Sequence, residues 1–202
     1  MRTVKKQKVK YRQILEAAIA VIAENGYHGS QIAKIAKEAG VADGTIYLYF
    51  KNKEDLLIKM FAESMGEFIS GIESGIAACQ TAKEKLARLV HLHLEHLSAR
   101  PKLAVVTQLE LRQSQASLQP KLSAVLEPYL ELIEELVSSG MKSGEFRSGL
   151  NIKLARQMIF GTVDQAVTSW VLDGGAEPLA QQAPELHSML YAGLANCPGN
   201  NG

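Results

Sequence analysis

Residues 30–53, SQIAKIAKEAGVADGTIYLYFKNK, place two short apolar patterns on either side of one glycine. The first pattern has helical spacing and consists of Ile32, Ile35, Ala36 and Ala39. Gly40 can end that helix, because glycine adopts left-handed backbone angles at little cost. Val41 and Ile46 give a second helix, about residues 42–49, an inner face toward the first. This spacing predicts a helix-turn-helix, a unit whose second helix enters the major groove of DNA.

The distribution of charge decides between two interpretations of that spacing. Two short helices around a glycine turn also occur in ordinary helical bundles. However, residues 1–53 hold ten lysines and arginines against four acidic residues, whereas residues 54–202 hold twelve against seventeen. A basic end on a chain of net charge +1 is typical of a protein that binds a polyanion through one part only. The charge pattern therefore favours DNA binding.

Length and composition limit the class of protein. With 202 residues, 47% of them hydrophobic, the chain can bury a sizeable core in one or two domains. No apolar run approaches the roughly 20 residues that span a bilayer, and the basic N-terminus leads into an amphipathic helix rather than a secretory signal. Cys79 and Cys197 lie far apart, which fits a reduced cytosol better than a disulfide framework. We therefore expect a cytoplasmic protein that makes no membrane contact.

Helical patterns cover almost every segment, so the sequence predicts an all-α fold. A first helix, about residues 10–25, ends at Asn25–Gly26, and another begins at Asn52–Lys53 and continues past Phe68. Thr81 and Glu84 have the spacing of a capping box. The later predicted helices span about 82–98, 101–116, 120–140 or 144, 152–172 and 179–195. Asn151 caps the fourth of these, and Pro184 predicts a kink or a later start in the last.

A resemblance to a known family rests on the run AKEAGVADGTIYLYFKNKEDLL, which follows a basic N-terminal helix. Over roughly residues 8–60 the chain resembles the DNA-binding domain of the TetR family of bacterial transcriptional regulators. The resemblance implies a homodimer of all-α subunits. Each subunit would have a helix-turn-helix DNA-binding domain, residues 1–53, and an effector-binding and dimerisation domain, residues 54–202. It further implies that a small effector releases the protein from double-stranded operator DNA.

The family pattern also assigns expected DNA contacts. It places Thr45 and Tyr47 against the DNA backbone or base edges, Tyr49 near a phosphate and Lys53 as a phosphate clamp. Ala42 stands where serine is frequent, and Asp43 where a basic or neutral polar residue is common, so the resemblance leaves the operator sequence open. The expected DNA-binding residues are Lys8, Lys10, Ser30, Gln31, Ala42, Asp43, Gly44, Thr45, Tyr47, Tyr49 and Lys53.

Three later segments, AKEKLARLV, VVTQLELRQS and LARQMIFGTVDQ, are similar to the fatty-acid-degradation repressors of the same family. Those repressors respond to long-chain acyl-CoA, an amphiphile that needs an apolar tunnel with an arginine or lysine at its mouth. Gln108 and Arg112 are four residues apart and share a helix face. The expected effector-binding residues are Leu103, Val106, Gln108, Leu109, Arg112, Gln113, Tyr129, Arg156, Phe160 and Asp164. For Arg112, Arg156 and Asp164, structural ion pairs between helices remain an alternative.

The family resemblance also implies a dimer interface. In this family the last two helices of each subunit form a four-helix interface, where Gly161 would permit close approach. The expected interface residues are Ile159, Val163, Val167, Trp170, Leu186 and Leu190. Packing inside one subunit explains the same apolar stripe almost as well.

Catalytic and metal-binding patterns are weak. His91, His93, His96 and Glu95 crowd one predicted helix, but a closed metal site needs about four convergent ligands. No nucleophile and base stand at a catalytic spacing. We expect no metal, no cofactor and no enzymatic activity. The favoured function is a repressor of fatty-acid degradation genes that long-chain acyl-CoA releases from DNA. A regulator of another hydrophobic ligand, a constitutive DNA-binding protein and an enzyme acting on acyl thioesters remain alternatives.

Overall fold

The fold is helical throughout the part of the chain that the structure describes. This computed structural model describes residues 2–112 and 118–196, apart from the side chains of residues 2–6. The helices are α1 (Arg2–Gly29), α2 (Ile32–Glu38), α3 (Asp43–Ile46), α4 (Lys53–Ile76), α5 (Ala82–Ser98), α6 (Pro101–Val105), α7 (Gln119–Lys142), α8 (Ile152–Leu172) and α9 (Ala183–Leu194). The predicted all-α class is confirmed. Among the described helices, none combines the length and the hydropathy that crossing a bilayer requires.

Two predicted helix starts are confirmed by their hydrogen bonds. At α5, the Thr81 hydroxyl accepts the Glu84 N–H at 3.1 Å, and the Glu84 carboxylate accepts the Thr81 N–H at 3.2 Å. This reciprocal pair is the predicted capping box. At α8, Asn151 Oδ1 accepts the Leu154 N–H at 3.1 Å. Both caps satisfy backbone donors that have no partner within the helix.

The bounds of α1, α3 and α6 differ from the sequence-based expectation. Helix α1 begins at Arg2 and continues to Gly29 past a break at Gly26, whose angles are φ 71° and ψ 162°. Helix α3 has four residues, and the chain after it tightens into a turn in which the Tyr49 N–H bonds to the Ile46 carbonyl at 3.0 Å. Helix α6 passes into a π-helical turn, Val106–Glu110. Residues 113–116 of the helix predicted there lie outside the described residues.

The beginning of α9 confirms the effect predicted for Pro184. A 3₁₀ turn, Leu179–Gln182, precedes the helix, and α9 begins at Ala183 with the proline in its first turn. Proline fits there because its missing N–H would have had no partner within the helix. Of the two effects predicted for Pro184, a kink or a later start of the helix, the later start is therefore confirmed.

The chain divides into two compact units. The first unit comprises the chain up to Met65 together with Pro101–Val125, and the second comprises Gly66–Arg100 together with the chain from Leu126 onward. The predicted domain boundary after residue 53 stays a prediction; residues 54–65 group with the N-terminal helices in the structure. Fully buried side chains of the first unit include Ile14, Ile22, Ile35, Ile46, Phe50, Leu56 and Met60.

In the second unit, helices α5, α7, α8 and α9 and the end of α4 supply the core. Its buried side chains include Leu86, Val90, Leu94, Val137, Val163 and Leu190. The segment after α7 returns to α5: the Glu145 carboxylate accepts the N–H groups of Ala82 at 2.9 Å and Lys83 at 3.2 Å. These hydrogen bonds lower the pKa of Glu145. A carboxylate at this helix N-terminus also interacts favourably with the helix dipole.

Candidate DNA interface and effector-binding residues

The helix-turn-helix in the first unit is built as its apolar pattern predicts. Ile35, Ala36 and Ile46 are buried where α2 and α3 meet. Gly40 makes the turn between the helices with φ 65°. The Val41 N–H closes the end of α2 by bonding to the Ala36 carbonyl at 3.0 Å. A residue with a Cβ would be strained at the Gly40 backbone angles, so the glycine sets the angle at which α3 leaves α2.

The outer side of α3 and the turn after it face solvent. Ala42, Asp43, Gly44 and Tyr47 are exposed, and Thr45 and Tyr49 are half-buried. The Tyr49 ring packs 6.1 Å from the ring of Tyr11, which stacks on Phe50 at 5.3 Å. Burial, followed by the charges of Glu63 and Asp55, raises the pKa of Tyr11. This aromatic group connects α1 to the turn after α3.

Leu48 is a surface residue that sequence reasoning missed. It lies between Tyr47 and Tyr49, and 81% of its surface is exposed. An apolar side chain on a DNA-reading surface can contact the methyl group of thymine. The available signal was the phase of the pattern YLYF: if Ile46 and Phe50 face inward, Leu48 must face outward.

Ser30, an expected DNA-binding residue, is buried between α1 and α2. Only 1% of its surface is exposed, and its hydroxyl donates to the Tyr27 carbonyl at 2.7 Å. The hydroxyl thus satisfies a backbone carbonyl in the break between α1 and α2, and the contact of Ser30 with DNA stays a prediction. Gln31, next to it, is exposed.

The predicted phosphate clamp, Lys53, is half-buried at the start of α4. Its ammonium lies 4.4 Å from the centre of the Tyr27 ring and 3.4 Å from the His28 carbonyl oxygen. Burial lowers the pKa of Lys53. On α1, Lys8 is exposed and Lys10 half-buried. These three cations lie within the first unit, and their contacts with DNA stay predictions.

The expected effector residues of the first unit lie on α6 and on the π-helical turn. Leu103, Val106 and Gln108 are buried, Leu109 is half-buried and Arg112 is exposed. The Arg112 guanidinium donates to the Gln108 side-chain oxygen at 3.0 Å. These two polar side chains, expected to share a helix face, are therefore hydrogen-bonded to each other. Gln113, predicted to join them, lies outside the described residues.

In the second unit, Tyr129 belongs to an aromatic cluster that consists of Phe68, His93, His96, Tyr129 and Phe160. The Tyr129 hydroxyl lies 2.8 Å from His93 Nδ1, and both side chains are buried. Burial, followed by the charge of His96, lowers the pKa of His93 to about 3. Burial, followed by the charge of Asp164, raises the pKa of Tyr129. Both groups are therefore neutral at physiological pH.

That neutral pair has one donor that its mutual hydrogen bond does not use. A neutral imidazole has one N–H and a phenol has one O–H, and a single hydrogen bond between them consumes one of the two. The other donor remains, on His93 Nε2 or on the Tyr129 hydroxyl, according to the tautomer. His96 Nε2 is also buried without a hydrogen-bond partner. The aromatic cluster thus offers polar groups in apolar surroundings.

Arg156, whose contact with an effector stays a prediction, forms ion pairs within the second unit. Its guanidinium lies 2.9 Å from a carboxylate oxygen of Glu134 and 3.9 Å from one of Glu127, and 19% of the arginine side chain is exposed. The structural ion pair that remained open for Arg156 is therefore present. Among the described residues, no group of three or more histidine, cysteine or acidic side chains is arranged to hold a metal ion.

Comparison with known proteins assigns the family. Residues 14–60 match the model of bacterial regulatory proteins of the tetR family, and residues 61–193 match the C-terminal region of YsiA-like proteins. A fatty acid metabolism regulator protein of Bacillus subtilis is 50% identical over 192 residues, which cover 95% of this chain and 99% of that protein. The chain belongs to the TetR family. These relatives are transcriptional regulators and not enzymes, and the same holds for this TetR-family chain.

Two solved structures are closely similar to that of this chain. The transcriptional regulator FadR from Bacillus subtilis, in complex with stearoyl-CoA, superposes with a TM-score of 0.88 at 51% identity, covering 91% of this chain and 98% of that one. The fatty acid degradation regulator FadR from Bacillus halodurans gives the same TM-score and identity, covering 91% of this chain and 99% of its own.

The side chains expected at a TetR-type dimer interface are mostly buried inside the subunit. Those with less than one-tenth of their surface exposed are Ile159, Val163, Val167, Trp170 and Leu190, and Leu186 is half-buried. Packing within one subunit, the alternative left open for this stripe, accounts for the burial of these five side chains, and their place at a dimer interface stays a prediction. Other apolar residues of the same helices are exposed: Leu154 at 62%, Met158 at 37% and Met189 at 58%.

Proposed function

We propose that this TetR-family chain is a homodimeric repressor of fatty-acid degradation genes that long-chain acyl-CoA releases from operator DNA. The observation that carries the proposal is the 50% identity, along 95% of the chain, to the fatty acid metabolism regulator of Bacillus subtilis. The matching fold of a FadR structure that contains stearoyl-CoA supports the class of effector. Such a regulator acts on operator DNA in the cytoplasm.

The first unit supports the DNA-binding part of the proposal. The helix-turn-helix presents an exposed surface made by Asp43, Tyr47 and Leu48. Hydrogen-bonding and apolar groups are both needed to read base edges in the major groove. The basic residues of α1, with Lys8 exposed, add attraction to phosphate. We propose that α3 reads the operator and that α1 contributes non-specific affinity.

Features of each unit support an amphiphilic effector. In the first unit, Arg112 is an exposed cation that is hydrogen-bonded to the buried Gln108, and a guanidinium pairs well with phosphate. In the second unit, the aromatic cluster combines apolar surface with the unused donor of the His93–Tyr129 pair. A thioester carbonyl is an acceptor suited to that donor. We propose that these residues belong to the effector-binding residues.

The homodimer is proposed to form through the exposed face of α8 and α9. Leu154 and Met158 are four residues apart on α8, and Met189 is exposed on α9. Gly161 is exposed on the same helix as the first two, and nothing lies within 4 Å of where its Cβ would be. A partner helix could therefore approach closely at Gly161. These residues are exposed, unlike most of those expected from the sequence.

An operator-release titration tests the function. The operator complex is titrated with CoA esters of increasing acyl length, for the wild type, Arg112→Ala and the control Lys121→Ala, which removes an exposed cation elsewhere in the first unit. We expect release by long-chain esters. Losing one charge-assisted contact should weaken acyl-CoA binding to Arg112→Ala by roughly tenfold to 150-fold. The control should respond like the wild type.

Two outcomes would contradict parts of the proposal. No release of the wild type at any chain length would reject acyl-CoA as the effector and favour a different hydrophobic ligand or constitutive binding. An unaltered titration of Arg112→Ala would reject only the role of Arg112. Mass spectrometry of the denatured protein would show whether an acyl compound copurifies with it.

A further inference from the structure

Helix α1 of the first unit is interrupted three residues before its end, at Gly26. The backbone angles of Gly26, φ 71° and ψ 162°, are not helical, so the hydrogen-bond ladder is broken there. The next N–H, that of Tyr27, bonds to a carboxylate oxygen of Glu110 at 2.7 Å. Glu110 is 83 residues away in the sequence. A hydrogen bond from an amide to a carboxylate is stronger than one between neutral groups. Glu110 therefore stabilises the interruption of α1.

The break leaves little space beside Glu110. A Cβ atom at residue 26 would lie 3.3 Å from the Glu110 Oε2 atom. The positive φ of Gly26 favours glycine at this position, and a Cβ there would make a tight contact with the carboxylate. Gly26 on α1 and Glu110 at the end of the π-helical turn therefore form one local arrangement that depends on both segments.

Tyr27 connects this arrangement to the helices of the proposed DNA interface. Its carbonyl accepts the hydroxyl of Ser30 at 2.7 Å, two residues before α2 begins. Its ring lies 4.4 Å from the ammonium of Lys53, the first residue of α4. One residue held by Glu110 therefore contacts the starts of two helices of the first unit. A movement of Glu110 would therefore displace Tyr27 and alter its contacts with both Ser30 and Lys53.

Glu110 is also the last residue of the π-helical turn. The Leu111 N–H bonds to the Val106 carbonyl at 3.0 Å, five residues back instead of four. Single π-helical turns are uncommon and occur frequently at functional sites. Gln108 and Arg112, two residues before and after Glu110, are hydrogen-bonded to each other and are proposed effector residues. A return of this turn to α-helical bonding would rotate Glu110 away from its present direction.

We propose that Glu110 is the positioning residue that couples effector binding to operator release. With the effector absent, its carboxylate holds Tyr27 and so holds the beginnings of α2 and α4 in the arrangement that binds DNA. Binding of the effector at Gln108 and Arg112 changes the π-helical turn and withdraws the carboxylate from the Tyr27 N–H. This inference rests on the proposed function, because it requires that an acyl-CoA ester releases the operator.

A neighbouring contact provides the matched control. Lys102 on α6 pairs with Glu24 on α1 at 2.8 Å, but more than half of each side chain is exposed. Exposed ion pairs of this kind contribute little. Lys102→Ala thus removes a second link to α1, made by the helix that leads directly into the π-helical turn, without touching Tyr27. If any loosening of α6 against α1 were enough to uncouple the sites, this control would behave like a Glu110 variant.

The test measures the operator dissociation constant with and without saturating stearoyl-CoA, and the stearoyl-CoA dissociation constant of the DNA-free protein by calorimetry. The ratio of the two operator constants is the coupling between the sites. We expect Glu110→Ala to reduce this ratio at least tenfold and Glu110→Gln, which keeps a neutral acceptor, to reduce it less. Stearoyl-CoA affinity of the DNA-free protein should stay within threefold. Lys102→Ala should keep the wild-type ratio.

Each result decides between interpretations. An unchanged ratio in Glu110→Ala would overturn the proposal, and so would a loss of stearoyl-CoA binding together with operator binding, which indicates a structural role only. If Glu110→Ala does not fold, Glu110→Gln carries the test, and a ratio within twofold of the wild type then overturns the proposal. If the wild type is not released by stearoyl-CoA, the proposed function fails, and this inference fails with it.

Discussion

At the scale of single residues, His93 illustrates how burial determines the protonation state of a side chain. Its pKa falls to about 3 because the charged form would lose hydration inside the second unit, and the nearby His96 adds to the effect. The pKa of Tyr129 moves upward for the same main reason. Neither group changes its charge in the physiological range, so the hydrogen bond between them is constant and its unused donor is always present.

The depressed pKa of His93 predicts a dependence of stability on pH. Between its ordinary pKa of 6.5 and its folded value of about 3, the unfolded chain binds a proton that the folded chain does not. The stabilisation is therefore complete above pH 6.5 and is lost as the pH falls toward 3, by up to about 1.4 kcal/mol per pH unit. Urea unfolding at pH 7.5, 6.5 and 5.5 measures this slope.

A double variant assigns the slope to His93. His93→Phe with Tyr129→Phe removes both members of the pair and leaves no unpaired hydroxyl. The double variant should therefore reduce the slope of unfolding free energy against pH by the contribution of one proton, about 1.4 kcal/mol per pH unit. The control, His28→Phe, replaces an exposed histidine of the first unit and should keep the wild-type slope. An unchanged slope in the double variant would show that other groups titrate.

Asp43 and Tyr47, both exposed on or directly after α3, should have separable roles. A carboxylate can accept a hydrogen bond from cytosine N4, so Asp43→Asn should change the preferred base at one operator position. A phenol directed at phosphate carries no sequence information, so Tyr47→Phe should weaken all operators alike. Selection from a randomised operator library distinguishes them. Asp43→Asn with the parental preference and lower affinity alone would contradict base reading by Asp43.

At the scale of elements, tight packing around helix ends limits which side chains fit there. Gly140 is buried near the end of α7, where a Cβ would lie 2.4 Å from the Phe146 ring and 2.9 Å from the Ala82 Cβ. Phe146 also donates its N–H to the Gly140 carbonyl at 2.9 Å. The end of α7, the start of α5 and the segment between α7 and α8 thus meet at a glycine.

Gly140→Ala should destabilise the protein, in spite of the better helix propensity of alanine. Overpacking a buried site costs about 1–3 kcal/mol, whereas the propensity gain is at most about 1 kcal/mol. Gly71→Ala is the matched control, because Gly71 is exposed within α4 and has nothing within 4 Å of its Cβ position. That control should be slightly stabilising. Equal unfolding midpoints for the two variants would contradict the packing argument.

At the scale of the whole molecule, the exposed apolar residues of α8 and α9 determine the proposed assembly. Met189→Glu places a charge on the proposed interface, where burial of an unpaired carboxylate is unfavourable. We expect the dimer dissociation constant to rise at least tenfold and operator affinity to fall, since a monomer reads only one half-site. Sedimentation velocity over a concentration series measures the first effect. Ser123→Glu, at an exposed position of α7, should remain dimeric; a dimeric Met189→Glu would place the interface elsewhere.

The sequence by itself determined what depends on neighbouring residues. Helical spacing, the Thr81–Glu84 capping box and the Gly40 turn are local, because their hydrogen bonds and steric limits involve residues at most five apart. These features were sufficient for the all-α class and the helix-turn-helix. The outward position of Asp43 and Tyr47 followed from the inward position of Ile46. Family resemblance added the class of effector, which no local pattern specifies.

Only the tertiary structure decided which face of each element is buried and which distant groups meet. Ile159, Val163 and Val167 have the spacing of an interface and of a core alike, and their burial depends on the helices packed against α8. The hydroxyl of Ser30 is buried and donates to the Tyr27 carbonyl. Glu110 reaches Tyr27 across 83 residues. Contacts of this kind arise from packing between helices, so they leave no periodic signal in the sequence.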